Sequence, residues 1–328
     1  MHENSLVRVA ASQYPVEFVG TWERYVDKIE RMVEEAVHAG SQILLFSEYA
    51  CLELVSLFSA PIQQDLQRQL HAMQTLLADY RQLYRRLAHQ HKLYIVAGSF
   101  PVRLPDGTFR NRAYFCAPDG SLDFQDKLIM TRWEREIWGI SPGNEVKTFQ
   151  TRFGMIGINI CYDSEFPLIA RRQAEAGARL ILVPSATDTA AGYNRVRIGC
   201  QARALENQCY VAMAPLVGRA EWSEAIDINM GAAGVFTPVD RGFPSDGILS
   251  LGQMDAPQWL VTEMDLATVD YIRESGAVTN HVDWDKQHHL CAISITEDWL
   301  TPAMVTAVIQ EKRAQAQAAV PVAGEAVY

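Results

Sequence analysis

Twice in this chain a helix-forming stretch ends at a glycine and runs into a short apolar segment: Ala39-Gly-Ser-Gln-Ile-Leu-Leu-Phe-Ser-Glu48 and Ala176-Gly-Ala-Arg-Leu-Ile-Leu-Val-Pro-Ser185. Glycine readily takes the left-handed conformation that ends a helix. A short run without polar alternation is what a strand covered on both faces requires. The two units therefore predict helices packed outside buried strands, an α/β architecture with pseudo-symmetry between two half-sheets. Two copies at unequal distance do not make a repeat array, which needs a fixed period and at least three units.

Glu48 and Ser185 fall at equivalent strand ends. A third apolar strand, Phe153-Gly-Met-Ile-Gly-Ile-Asn-Ile-Cys161, stops at a cysteine, and Tyr-Asp-Ser-Glu-Phe-Pro167 follows as an acidic, capped helix start. If the three strands are parallel, their ends open on one edge, where open α/β sheets bind ligands. A thiol beneath a helix N-terminus meets free N–H groups and the positive end of the helix dipole, both of which favour a thiolate. Cys161 is thus a candidate nucleophile. Cys51, Cys116, Cys200, Cys209 and Cys291 read as small core hydrophobes.

The remaining pattern fits the same class. Leu6–Tyr14 reads as the first strand, and Thr21 caps a helix with apolar Trp22, Val26, Ile29, Val33 and Val37 on one face. One helix is predicted from Asp65 to about His91, leading into a strand at Leu93–Ser99. Residues 112–117 and 121–124 read as a hairpin around Pro118-Asp119-Gly120. A helix is expected over 193–205 and strands over 210–214 and 259–264. No Pro/Ser-rich linker or charge block divides residues 1–300, which read as one domain. Thr301-Pro302 opens a helix to about Ala318, so residues 301–328 form a helix and tail available to a subunit interface.

With 48% hydrophobic residues, 328 residues suffice for a large core. A formal charge of −10 and the lack of a long basic run argue against nucleic acid as a partner. No run approaches the roughly 18–20 apolar residues of a membrane span. The first residues, Met-His-Glu-Asn-Ser, lack the basic-then-apolar pattern of a leader, so a cytoplasmic protein is expected. Six cysteines without a CxxC pair argue against a disulfide framework or zinc site, and the histidines show no HExxH spacing. No metal or cofactor is expected, and the adjacent His288 and His289 read as a surface or structural pair. The expected partner is a small molecule.

A carboxylate at the end of a buried strand is costly without a partner or a role, which singles out Glu48. Lys127, in Phe-Gln-Asp-Lys-Leu-Ile-Met, also follows a strand pattern, although alone it reads as a solvated lysine. Taken with Cys161, the chain resembles the nitrilase (carbon–nitrogen hydrolase) superfamily. The resemblance is carried by Leu-Leu-Phe-Ser-Glu48-Tyr, Asp-Lys127-Leu, Gly-Ile-Asn-Ile-Cys161-Tyr-Asp-Ser-Glu-Phe-Pro and Ala202-Arg-Ala-Leu-Glu-Asn207, over roughly residues 6–290. It implies a four-layer α-β-β-α sandwich: two packed mixed sheets with helices outside, usually assembled as a homodimer or larger homo-oligomer.

The resemblance also implies a Glu-Lys-Cys triad that hydrolyses a non-peptide carbon–nitrogen bond of a small linear amide or N-carbamoyl compound, with water as co-substrate and no cofactor. Nitrile hydrolysis and acyl transfer from a thioester to an amine are the alternatives. A non-catalytic subunit would have lost a triad member, and none is missing. Many family members carry a second glutamate between the lysine and the cysteine. Here Glu134 and Glu136 both offer themselves, and the spacing of Glu136 to Pro142-Gly143 favours Glu136. Trp133 and Trp138 flank these acids, as pocket walls or as core aromatics. The N–H of Tyr162 is placed to join Lys127 at an oxyanion. By the strand-end argument Ser185, Ala186 and Thr187 face the same cleft. In 203–207 a structural helix end is expected.

Overall fold

The computed structural model describes residues 5–290 and 302–318. By main-chain proximity the chain forms two compact units, Met1–Trp284 and Asp285–Tyr328. The second contains one long described helix, Pro302–Ala318. The expected boundary at residue 300, the Thr301 cap, Cys291 and the tail after Ala318 lie outside the described residues, as do the His288 and His289 side chains.

The first unit holds thirteen strands: β1 Leu6–Pro15, β2 Ile43–Leu45, β3 Tyr94–Arg103, β4 Phe109–Cys116, β5 Leu122–Asp126, β6 Thr148–Thr151, β7 Gly154–Ile158, β8 Leu180–Ser185, β9 Tyr210–Arg219, β10 Ile228–Asn229, β11 Gly234–Phe236, β12 Ile248–Leu251 and β13 Gln258–Asp265. One sheet runs β5-β4-β3-β2-β1-β13, with β1, β2 and β3 parallel. The other runs β6-β7-β8-β9-β11-β12, with β7, β8 and β9 parallel. Among the described residues the sheets join where the ends of β1 and β9 pair, at Tyr14 with Leu216 and Pro15 with Val217.

Alternation along each strand builds the layers. Val7, Val9 and Ala11 of β1 with Ile43 and Leu45 of β2 pack in one core with Ile156, Ile158, Leu180 and Leu182 of the other sheet. Ala10, Leu44 and Ile95 point the opposite way, against Ile29, Val33, Tyr80 and Leu87 of the outer helices. Those helices are α1 (Trp22–His38), α2 (Leu66–Met73) and α3 (Leu77–His91). On the second sheet lie α4 (Pro167–Glu175) and α5 (Ala190–Asn207). The result is a four-layer α-β-β-α sandwich.

Two local expectations change. The single helix expected from Asp65 to His91 is broken at Gln74, between α2 and α3. The Gln74 amide donates to Leu70 O and to Pro101 O on β3, and accepts from Arg103 N. Anchoring to the sheet thus tightens the chain into a 3₁₀ turn, which apolar periodicity cannot register. The segment after Cys161 is likewise a 3₁₀ turn, Cys161–Glu165, and the α-helix starts only at Pro167.

Candidate active site

Glu48 follows β2, Lys127 follows β5 and Cys161 follows β7. All three line one cavity of about 510 Å³. The strand ends come from both sheets, so the site is not one sheet's edge; the two sheets bring it together across their interface. Gly98, at φ 71° beside the β3–β4 irregularity, permits the close approach of the Ser47 carbonyl, where a Cβ would collide. That approach seats the loop carrying Glu48.

Lys127 Nζ donates to Glu48 Oε1 at 2.9 Å and to Glu134 Oε2 at 2.6 Å. Asn111 Nδ2 donates to the same two carboxylates, at 2.8 and 3.3 Å, and Asn111 O accepts from Lys127 N at 2.8 Å. Glu48 Oε2 accepts from Ala186 N at 3.0 Å. Glu134 also takes the Tyr49 hydroxyl at 2.7 Å and both Thr131 N and Oγ1, at 3.0 and 2.9 Å. Every charged group here is buried and multiply hydrogen-bonded, which is what charges removed from water need.

Glu134 therefore takes the place assigned to Glu136 from spacing. Glu136 is exposed and ion-paired with Arg132 at 2.7 Å and Arg135 at 3.1 Å. Two positions on a helical turn point to nearly opposite sides, and only residue 134 returns toward Thr131 and Lys127. Glu134→Gln is expected to lower turnover about 10- to 100-fold, as loss of a partner that orients a working group does, while Glu136→Gln keeps wild-type kinetics. The converse result in a steady-state assay would restore Glu136.

Burial opposes charge on Lys127, yet Glu134 and Glu48 hold its ammonium well above the usual lysine range. Burial likewise opposes ionisation of Glu134, but the Lys127 charge and the Thr131 and Tyr49 hydrogen bonds keep it below the ordinary carboxylate value. Burial pushes Glu48 up, against the pull of Lys127. Burial and the Glu48 carboxylate push the Cys161 thiol well above its usual range despite Lys127. This corrects the expectation of a helix-stabilised thiolate: the five-residue 3₁₀ turn does not offset burial beside a carboxylate. Sγ donates to Ala186 O at 3.6 Å.

Tyr162 lines the cavity and occupies the first turn of the 3₁₀ segment, where N–H groups have no intrahelical partner. Ala186 and Thr187 line it as well, with Thr187 Oγ1 bound to Met230 O at 2.9 Å. Ser185 does not: its buried hydroxyl turns to Ala214 O, 3.4 Å away, and alternation puts it on the β8 face shared with Ile181 and Val183. Trp133 lines the cavity, whereas Trp138 is fully buried behind it, 4.9 Å from Tyr49 and 5.2 Å from Trp133 between ring centres. Trp138 is a core aromatic. In 203–207 Arg203 donates to Ser164 O and pairs with Glu206, a structural contact behind the nucleophile turn.

Asn111 and Tyr49 were not singled out from the sequence. A signal existed for Asn111: Phe109, Asn111, Ala113 and Phe115 share a buried face of β4, and an amide there demands partners. Tyr49 carries only its adjacency to Glu48. The rim adds Asp188, Arg195, Glu224 and Asp227. Among the described residues no group of three or more His, Cys, Asp or Glu could hold a metal ion, and no helix is long and apolar enough to cross a membrane.

The family model described as carbon-nitrogen hydrolase matches residues 8–250. A probable hydrolase of Bacillus subtilis (strain 168), YhcX, is 34% identical over 272 residues, covering 83% of this chain. The chain spans about half the length of that relative, 52%. The omega-amidase NIT2-B of Xenopus laevis is 27% identical over 198 residues, covering 58% of this chain and 67% of the relative. Among solved structures, Nit3 of Saccharomyces cerevisiae superposes with a TM-score of 0.66 at 22% identity, over 85% of this chain and 97% of its own. A carbon-nitrogen hydrolase from Helicobacter pylori G27 gives 0.68 at 17% identity, over 83% and 93%. At these identities the structural likenesses concern the fold.

Proposed function

The chain belongs to the carbon-nitrogen hydrolase family, and from that premise we propose that it hydrolyses a small linear amide or N-carbamoyl compound through a thioester on Cys161. The observation that carries the proposal is the ion-paired Glu48–Lys127–Glu134 array lining the same cavity as the Cys161 thiol. Amide carbonyls are poor electrophiles, and dividing the reaction through a thioester replaces one hard step with two easier ones.

Glu48 removes the thiol proton as Sγ attacks the carbonyl carbon, so a raised thiol pKa is no obstacle: the proton leaves only as the C–S bond forms. The tetrahedral oxygen takes its negative charge beside the Lys127 ammonium and the Tyr162 N–H. Collapse expels the amine, to which Glu48 returns the proton. Water then enters, loses a proton to Glu48 and attacks the thioester. The second tetrahedral species releases the acid and restores the thiol. Lys127 stays protonated throughout, held so by two carboxylates.

The cavity volume lies in the range of small-molecule pockets, which suits a compact substrate. Ammonia release from short primary amides, N-carbamoyl amines and matched nitriles tests the reading. Turnover is expected on the amide or carbamoyl series at least about 10²-fold above the nitriles, and hydroxylamine should divert part of the product to hydroxamate. Nitrile turnover alone, or ammonia from none of the three, would refute it.

A further inference from the structure

Asp163 is 1% exposed and lies two residues past Cys161. Its carboxylate accepts from three main-chain N–H groups. Leu128 N lies 3.1 Å from both oxygens, Ile129 N 2.8 Å from Oδ1 and Ile160 N 3.3 Å from Oδ2. The donors belong to two separate stretches, the residues directly after Lys127 and the residue directly before Cys161. One side chain thus ties the main chain of the lysine to the turn that presents the thiol.

We propose that Asp163 is a positioning residue: its carboxylate locks the Lys127 main chain against the Cys161 turn, so that the ammonium stands where the tetrahedral oxyanion forms. The inference rests on the amide-hydrolase reading and goes beyond it, since Asp163 acts on the reaction through Lys127 and Cys161.

Three observations support it. The bonds at the tip of Lys127 go to Glu48 and Glu134, and its N–H goes to Asn111 O. Those contacts fix the ammonium relative to the base, and Asp163 adds the tie to the nucleophile. Cys161 itself sits at φ 48°, in the left-handed region. A non-glycine residue persists there only when neighbours over-determine it. Here Ser164 Oγ donates to Cys161 O at 2.7 Å and Asp163 N to Ile160 O at 3.0 Å. Finally, an ionised carboxylate only accepts, which matches three N–H donors, whereas a protonated acid would turn a donor toward donors. Burial pushes Asp163 up to about 7, against the pull of Lys127 and these amides. Because a displacement of about 1 Å in a catalytic group can cost on the order of 10²-fold in rate, a tie of this kind has a measurable consequence.

The test is a double-mutant cycle with Asp163→Asn and Lys127→Met, read on an activated p-nitrophenyl ester so that residual rates stay measurable. Asp163→Asn keeps the shape and sets an NH₂ against amide donors. It is expected to lower kcat about 30- to 100-fold with KM within about threefold, and to leave Cys161 alkylation by iodoacetamide within about threefold. On the Lys127→Met background it should add less than about threefold, because the two residues act as one unit. Wild-type turnover by Asp163→Asn, or a full multiplicative loss on the second background, would overturn the proposal.

If Asp163→Asn does not accumulate as folded protein, Asp163→Ser keeps one acceptor and should show an intermediate loss; a wild-type rate there overturns the proposal equally. Hydrogen exchange at the Leu128, Ile129 and Ile160 amides gives an arm that needs no substrate. It should quicken at least about tenfold in the variant, and unchanged exchange overturns the tie. Failure of the wild-type protein to hydrolyse any amide would instead count against the functional reading.

Discussion

Cys161→Ala is expected to lower amide turnover by at least about 10⁴-fold, the scale seen when a covalent nucleophile is removed from an otherwise intact site. The substitution removes one atom from a residue that is 4% exposed. The thiol's hydrogen bond to Ala186 O is a long one at 3.6 Å. Stability should therefore change little, and the lost rate is attributable to chemistry. Glu48, Lys127 and Glu134 stay paired in the variant because the Lys127 bonds to both carboxylates, and the Ala186 N–H bond to Glu48, do not pass through Sγ. Substrate can still bind, so the variant should show a dissociation constant near the wild-type value while product formation disappears. Turnover within about tenfold of wild type would mean that another residue or an activated water performs the attack.

Lys127→Met is expected to fail in two ways. Removing the ammonium takes away the charge beside the oxyanion, a loss of about 10²–10³-fold in kcat for one such donor. It also leaves Glu48 and Glu134, 1% and 3% exposed, without a counter-charge. Breaking a buried pair by removing one partner costs about 3–5 kcal/mol.

The pH dependence separates this from a packing defect. In the wild type Glu134 is held below its ordinary value, so its contribution to stability is complete above the unfolded-state pKa. It fades as pH falls through the lowered folded value. Lys127 is held above its ordinary value, so its contribution is complete below the unfolded pKa and is lost only as pH rises through the raised folded one. Without the lysine, Glu134 rises above the unfolded carboxylate value and Glu48, already raised by burial, goes higher still. The folded variant then binds more protons than the unfolded chain, and its stability falls as pH rises. Chemical denaturation should show the deficit largest near neutral pH and smaller in mildly acid buffer. A deficit independent of pH would indicate lost packing alone.

Much of the architecture could be read from local pattern because its causes are local. Apolar runs bounded by glycine, as at Gly40 and Gly177, specify covered strands fed by helices. The structure brings Glu48, Lys127 and Cys161 together; Glu48 and Cys161 stand out because a carboxylate or thiol at the end of a buried strand is anomalous by itself, whereas Lys127, which alone reads as a solvated lysine, is legible only in their company. What stayed hidden depends on partners distant in sequence. Glu134 and Glu136 differ only in which side of one turn faces Lys127, and that is set by Tyr49 and Asn111, 85 and 23 residues away. The break at Gln74 depends on Pro101 across 27 residues. Burial beside Glu48 reversed the expected direction of the Cys161 pKa, a tertiary effect that the helix-start pattern cannot report. Ser185 was misplaced because equivalent strand ends in two different sheets need not face the same cleft.

The central claim, that a carbon–nitrogen bond is split through an acyl group carried by Cys161, is tested most directly by rapid acid quench of turning-over enzyme followed by intact-mass and peptide analysis. The account requires one acyl equivalent, mapped to the peptide that contains Cys161, formed by the wild-type protein and absent from Cys161→Ala. Turnover with no adduct on that peptide and undiminished rate in Cys161→Ala would contradict it.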